Sequence, residues 1–215
     1  MPAVPVHAIA TGTADIVNQF LDRTREVLAN EHPANMVLLR GFSQHPHLPS
    51  MEYRCNLHPA AIALYPMYRG LAKLVGMDIL DGGKSLADEL ATLEKHWADY
   101  DFFFVHYKAT DAAGEDGDFP RKVKAIEEVD ALLPRLVSLN PDVIVVTGDH
   151  STPALLKSHS WHPVPFMLYS QCCRFDDAAQ FSETACAKGA LGRFPAVEIM
   201  PLALANALKL GKFGA

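Results

Sequence analysis

A chain of 215 residues, 49% hydrophobic and 20% charged, can bury a sizeable core and has the composition of a globular protein of one or two domains. Its net charge of −6, with no basic run interleaved with aromatics, speaks against a nucleic-acid surface, and no apolar stretch is long enough to span a bilayer. There is no basic-then-apolar leader, and Cys55, Cys172, Cys173 and Cys186 form no CxxC pair, so the expectation is a cytoplasmic protein with reduced thiols.

In chain order, Thr13 is placed to cap a helix whose Ile16, Val17, Phe20, Leu21, Val27 and Leu28 share one side. Residues 36–39 read as a short buried strand, and the following stretch, with Pro46 and Pro49, as an interdomain linker. A strand at 60–64 is followed by a helix that opens at Pro66 and stops near Gly76, then by a strand at 77–80. Ser85 caps an amphipathic helix carrying Leu86, Leu90, Leu93 and Trp97, with Asp88 completing a near capping box.

A strand at 101–106 leads into a polar loop, and Asp118 caps a helix carrying Val123, Ile126, Val129, Leu133 and Leu136, kinked near its end by Pro134. Strands at 143–147 and 164–169 and a helix at 202–210 complete the chain. Strands alternating with helices imply βαβ units, hence an α/β fold with a mostly parallel sheet flanked by helices. Residues 48–215 form that domain, and residues 1–47 a smaller one before the linker.

The chemistry gathers at two predicted strand ends. After Val143-Ile144-Val145-Val146 comes Thr147-Gly148-Asp149-His150-Ser151-Thr152-Pro153, with His159 shortly behind. Carboxylate and imidazole on adjacent residues suit a divalent metal such as zinc or manganese. After Phe102-Phe103-Phe104-Val105-His106 comes a loop holding Asp111, Glu115, Asp116 and Asp118, a cluster that is costly unless solvated or neutralised by cations. Either motif alone could be a capped or acidic turn. Two of them, both where open α/β sheets collect ligands, make a shared metal site the better account.

These residues resemble the archaeal-type 2,3-bisphosphoglycerate-independent phosphoglycerate mutases of the alkaline phosphatase superfamily. The likeness rests on Phe104-Val105-His106-Tyr107-Lys108-Ala109-Thr110-Asp111-Ala112-Ala113-Gly114 and on Gly148-Asp149-His150-Ser151-Thr152-Pro153 with His159 and Pro163-Val164-Pro165. Residues 13–20, 33–41 and 68–77 and the closing Lys212-Phe213-Gly214-Ala215 also fit. The resemblance implies an alkaline-phosphatase-like fold of which this chain is the carboxyl-terminal portion, with residues 1–47 a remnant of the family's inserted domain. Nothing here matches the family's opening Asp-Gly metal segment or its serine nucleophile, and Glu115 stands where the family has histidine.

By the same resemblance the activity is metal-dependent phosphoryl transfer between 2- and 3-phosphoglycerate, a reaction of glycolysis and gluconeogenesis. The cofactor is a divalent metal, manganese or zinc, at two sites. Asp111, Glu115 and His159 form one, and Asp149 and His150 contribute to the other. Lys108, His106, Arg69 and Arg40 are candidates for contact with a phosphorylated three-carbon acid. The expected partner is an amino-terminal chain carrying the serine, or a second copy, and without that segment the chain is expected to be inactive as a mutase. The alternatives are a metal-dependent phosphatase that uses water and a non-catalytic metal- or partner-binding remnant.

Overall fold

The computed structural model describes residues 2–211; the closing Lys212-Phe213-Gly214-Ala215 motif lies outside them. The contacts divide the chain into two units, one ending at His47 and the other starting at Leu48.

In the first unit a 3₁₀ turn, Ala8–Ala10, leads into helix α1, Thr11–Val27. The helix begins two residues before the expected cap, and Thr11 Oγ1 donates back to the Ala8 carbonyl at 2.8 Å. Asn18 holds the preceding chain against α1, accepting from the Ala3 amide at 2.7 Å and donating to its carbonyl at 3.1 Å. Ala14, Val17, Leu21 and Thr24 are buried, whereas Ile16, Phe20 and Val27 are exposed. The apolar residues therefore lie on two sides, only one of which packs within the unit. Residues 36–39, expected as a short buried strand, form none, and Leu38 is 99% exposed. Extended backbone becomes sheet only against a hydrogen-bonding neighbour, and among the described residues this segment has none.

The second unit begins with a short helix, α2 (Met51–Cys55), capped by Ser50, whose hydroxyl accepts from the Tyr53 amide. Next come β1 (Pro59–Ala63), α3 (Pro66–Leu74), β2 (Asp78–Leu80), α4 (Leu86–Lys95) and β3 (Phe102–His106). β1 lies between β2 and β3 and is parallel to both, in register Ala61 with Ile79 and Phe104. Every residue of β1 is buried, and its short alanines let helices pack closely above and below. The expected cap of α4 forms: Ser85 Oγ accepts from the Asp88 amide at 3.2 Å, and Asp88 accepts from the Ser85 hydroxyl and the Lys84 amide, both at 2.9 Å.

The segment after β3, expected as a loop, is helical. α5 spans Ala109–Asp116 and ends on Gly117 in the left-handed conformation. α6 (Phe119–Ser138) follows, its Asp118 cap accepting from the Arg121 amide at 3.0 Å. Pro134 lies inside α6. The strands β4 (Val143–Thr147) and β5 (Phe166–Ser170) pair antiparallel as a separate two-stranded sheet. Two short helices, α7 (Glu183–Cys186) and α8 (Ile199–Asn206), close the described chain. The architecture is thus α/β with a parallel sheet and flanking helices, and its last two strands run antiparallel to each other. All four cysteines are free.

Candidate metal centre

The site is built where β3 and β4 end. Only Tyr107 and Lys108 separate β3 from α5, so Asp111 falls in the first turn of α5, where the helix dipole favours a carboxylate. Glu115, one turn further on, lies on the same face. On the other side Asp149 and His150 follow β4 directly. His159 is brought back beside them by an isolated antiparallel bridge between Ser151 and Ser160, closed by the Ser160 amide donating to the Ser151 carbonyl at 2.9 Å. The His150 and His159 rings stack as a result, with centroids 3.7 Å apart.

Gly114 brings the two strand ends together. A Cβ at this position would run into the Thr152 carbonyl and Lys122 Nζ, so the missing side chain lets α5 lie directly on the loop after β4. Lys122 donates to that same carbonyl at 2.7 Å.

The five expected ligands lie next to one another in a chain. His159 Nε2 is 3.5 Å from Glu115 Oε1 and 3.9 Å from Asp111 Oδ1. His150 Nδ1 is 3.7 Å from Asp111 Oδ1, and its Nε2 is 3.4 Å from Asp149 Oδ2. Ligand atoms of Asp111, His150 and His159 all lie within 4.8 Å of one another. Such spacings suit donors that would each sit about 2.0–2.2 Å from one ion, and an oxygen and nitrogen set suits borderline divalent metals.

Two residues complete the geometry that the sequence did not point to. Thr152, only 4% exposed, donates its hydroxyl to Asp111 Oδ1 at 2.5 Å and lies 3.0 Å from His150 Nδ1. With its proton committed to the carboxylate, the threonine oxygen accepts from His150 Nδ1–H, which leaves the lone pair of His150 on Nε2, facing Asp149. Tyr68, on α3, donates to Asp149 Oδ2 and stacks on His106 with centroids 3.6 Å apart.

Lys108 pairs with Asp111 Oδ2. Burial alone would raise the Asp111 pKa, but the hydrogen bonds from Lys108 and Thr152 outweigh it and hold the carboxyl below its ordinary value. Asp149 behaves alike: burial opposes ionisation, and Tyr68 with His150 prevails. Both are thus held ionised, as ligands need to be. Burial, followed by the bond to Asp149, raises the Tyr68 hydroxyl, which stays a donor.

Of the substrate candidates, Lys108 and His106 stand beside this cluster. Arg69 is exposed on α3, and Arg40 is exposed in the other unit. His162 bonds instead to Ser160 Oγ at 2.9 Å and stacks on Trp161.

An α/β unit with a carboxylate–imidazole cluster beyond its strand ends has the residues to hold a divalent metal. The Metalloenzyme superfamily model matches residues 10–206, and the chain belongs to that superfamily. Within it, the chain is 55% identical over 203 residues to a Thermotoga maritima protein named "Probable 2,3-bisphosphoglycerate-independent phosphoglycerate mutase", covering 94% of this chain and 51% of that protein. An Aquifex aeolicus protein of the same name is 52% identical over 207 residues, with 96% and 51% covered. The chain therefore spans about half the length of the curated relatives it matches. A solved protein of Pyrococcus horikoshii superposes with a TM-score of 0.86 at 30% identity, covering 97% of this chain and 60% of that one. The cofactor-independent phosphoglycerate mutase of Thermoplasma acidophilum superposes at 0.66 with 26% identity, covering 95% and 54%. The resemblance read from the two motifs is borne out.

Proposed function

We propose that this chain carries the metal-binding half of a phosphoglycerate mutase that moves a phosphoryl group between the 2- and 3-hydroxyls of glycerate. The observation that carries this reading is the meeting of Asp111, His150 and His159 at the ends of two strands, in a chain whose relatives bear that name. Asp111 and His159, with Glu115 beside them, would hold one divalent cation, manganese or zinc. Asp149 and His150, through Nε2, would contribute to a second. Such ions lower the pKa of a hydroxyl nucleophile and neutralise the transferring oxygens.

The chain's own residues fix that chemistry in place. Lys108 and Thr152 hold Asp111 ionised and oriented, Thr152 also sets the His150 tautomer, and Tyr68 does for Asp149 what Thr152 does for Asp111. The serine that accepts the phosphoryl group, together with the remaining ligands of the second ion, would come from a segment corresponding to the other half of the relatives. That segment, or a second copy of this chain, is the expected partner.

The test is an enolase-coupled assay of the purified protein with manganese, with and without the amino-terminal half of a relative. Turnover that appears only with the added segment, and is lost in Asp111→Asn, supports the reading. Ester hydrolysis without transfer would point instead to a phosphatase using water. Manganese binding without either activity would leave a metal-binding remnant.

A further inference from the structure

Thr152 is held at both of its polar ends. Its hydroxyl donates to Asp111 and accepts from His150 Nδ1, while its carbonyl accepts from Lys122 Nζ at 2.7 Å. Among the described residues no other donor reaches that carbonyl. The surrounding backbone supplies little else. Ser151 is pinned by its bridge to Ser160, but Pro153 has no N–H to give, and among the described residues no backbone–backbone hydrogen bond falls on Thr152 itself. Whatever fixes this peptide therefore also decides where the hydroxyl points.

The group that fixes it is an ammonium brought in from another helix. Lys122 lies near the start of α6, whose first turn is set by the Asp118 cap. A helix start is the positive end of the dipole, so a cation gains nothing there from α6 itself. Nor does a carboxylate hold it. Asp116 pairs with Arg121 at 2.5 Å, and among the described residues Lys122 makes no salt bridge. Its partly buried ammonium is spent instead on a neutral carbonyl, a hydrogen bond strengthened by the charge of the donor. It also lies over the last turn of α5, where the dipole favours a cation. The bare backbone of Gly114 leaves room for both partners, since a Cβ there would come within 3.0 Å of Nζ and run into the carbonyl.

We propose that Lys122 is a positioning residue of the candidate metal centre: by tying down the Thr152 carbonyl it aims the Thr152 hydroxyl between Asp111 and His150. The carboxylate and the imidazole tautomer are then fixed before any ion arrives. The inference rests on the metal reading of the cluster and adds to it a residue that hydrogen-bonds to none of the five candidate ligands. Without the ammonium the peptide can turn and the hydroxyl leaves its place. His150 Nδ1 then loses its acceptor, and the neutral ring drifts towards the Nε2–H form that free histidine favours.

The experiment reads the His150 tautomer from imidazole nitrogen NMR of the metal-free 215-residue protein at mildly alkaline pH, and manganese affinity from calorimetry. The parent should show the Nδ1–H form. Lys122→Met, which keeps the stem and loses the donor, should mix the two tautomers. It should also weaken manganese about tenfold, the lower end of what losing a partner behind a ligand costs. Lys122→Gln, too short to reach the carbonyl, serves in its place if methionine is not tolerated. Lys122→Arg, which restores a charged donor, should recover both readouts. Lys124→Met, the same loss of charge at an exposed position on the same helix, should change neither. In a Thr152→Val background, Lys122→Met should weaken manganese no further, because no hydroxyl is left to aim.

A Lys122→Met protein that keeps the parent's tautomer and manganese affinity would overturn the proposal, as would one that merely matches Lys124→Met. So would losses that Lys122→Arg does not recover, or that add to those of Thr152→Val, for the lysine would then act through the fold at large. A protein whose His150 tautomer answers to Lys122 as described but which takes up no manganese would bear out the positioning and overturn the metal reading.

Discussion

Thr152 has one hydroxyl proton and two neighbours that compete for it. Giving that proton to Asp111 commits His150 to donate from Nδ1, so a single buried hydroxyl orders two candidate ligands at once. Asp111→Asn should therefore remove measurable manganese binding at the cluster. Thr152→Val, which keeps the shape and loses the hydroxyl, should weaken binding by about 10–100-fold, the usual effect of losing a partner behind a ligand. Calorimetric titration with manganese measures both, and a Thr152→Val protein that binds like the parent would remove threonine from the site. Asp111, His150 and His159 were readable in the sequence because their residue types carry the chemistry and each follows a strand. Thr152 and Tyr68 were not, because a threonine or tyrosine becomes a positioning group only through a neighbour that the fold brings in, here from 41 and 81 residues away.

At the scale of elements, α5 and α4 make separate predictions. Gly114 lies in an ordinary helical conformation, so alanine there would be harmless were it not for the Thr152 carbonyl. Gly114→Ala should destabilise the protein by roughly 1–3 kcal/mol and loosen metal binding as α5 is pushed away, measured by chemical denaturation. Glu89 on α4 makes stability depend on pH. Its carboxyl titrates near 7 when folded and near 4.3 when unfolded, so it costs nothing below about pH 4. The cost grows as pH rises between those values and is fully present above 7. Glu89→Gln removes it, so the variant's melting temperature should gain on the parent at pH 8 and not at pH 4. A gain equal at both pH values would show that the charge of Glu89 is not what matters.

The amphipathic pattern and Ser85 made α4 plain in the sequence, whereas α5 was hidden. A short stretch with Thr110, three acids and two glycines looks like a loop, and it is held helical by Asp111 at its start, Gly117 at its end and its packing against α6. The opposite error at residues 36–39 has a related cause, since β-forming side chains do not make a strand without a neighbour.

For the whole molecule, alternation of strands and helices was enough to anticipate a parallel sheet, since crossovers of this length favour parallel neighbours. It could not reveal that the last two strands would pair antiparallel with each other, in a sheet apart from the parallel one. β3 hydrogen-bonds to β1 on one side, and among the described residues no strand pairs its other side. Among the described residues β4 pairs with β5 alone. Edges of this kind favour strand addition, and if the proposed partner segment docks there, hydrogen exchange of β3 and β4 amides should slow on its addition.

The meeting of candidate ligands from the ends of two strands that do not pair with each other also has a thermodynamic meaning. Asp111 follows the three-stranded sheet and His159 the two-stranded one, so an ion held by both would be a cross-link between sheets that share no ladder among the described residues. An ion bound by the folded state alone adds stability by mass action, about 2.7 kcal/mol at a hundredfold excess over its dissociation constant. Manganese should therefore raise the melting temperature in proportion to the logarithm of its concentration, and a chelator should reverse the gain. In Asp111→Asn that dependence should vanish, which would make a heating curve, with no substrate present, a direct measure of how tightly the two sheets are tied.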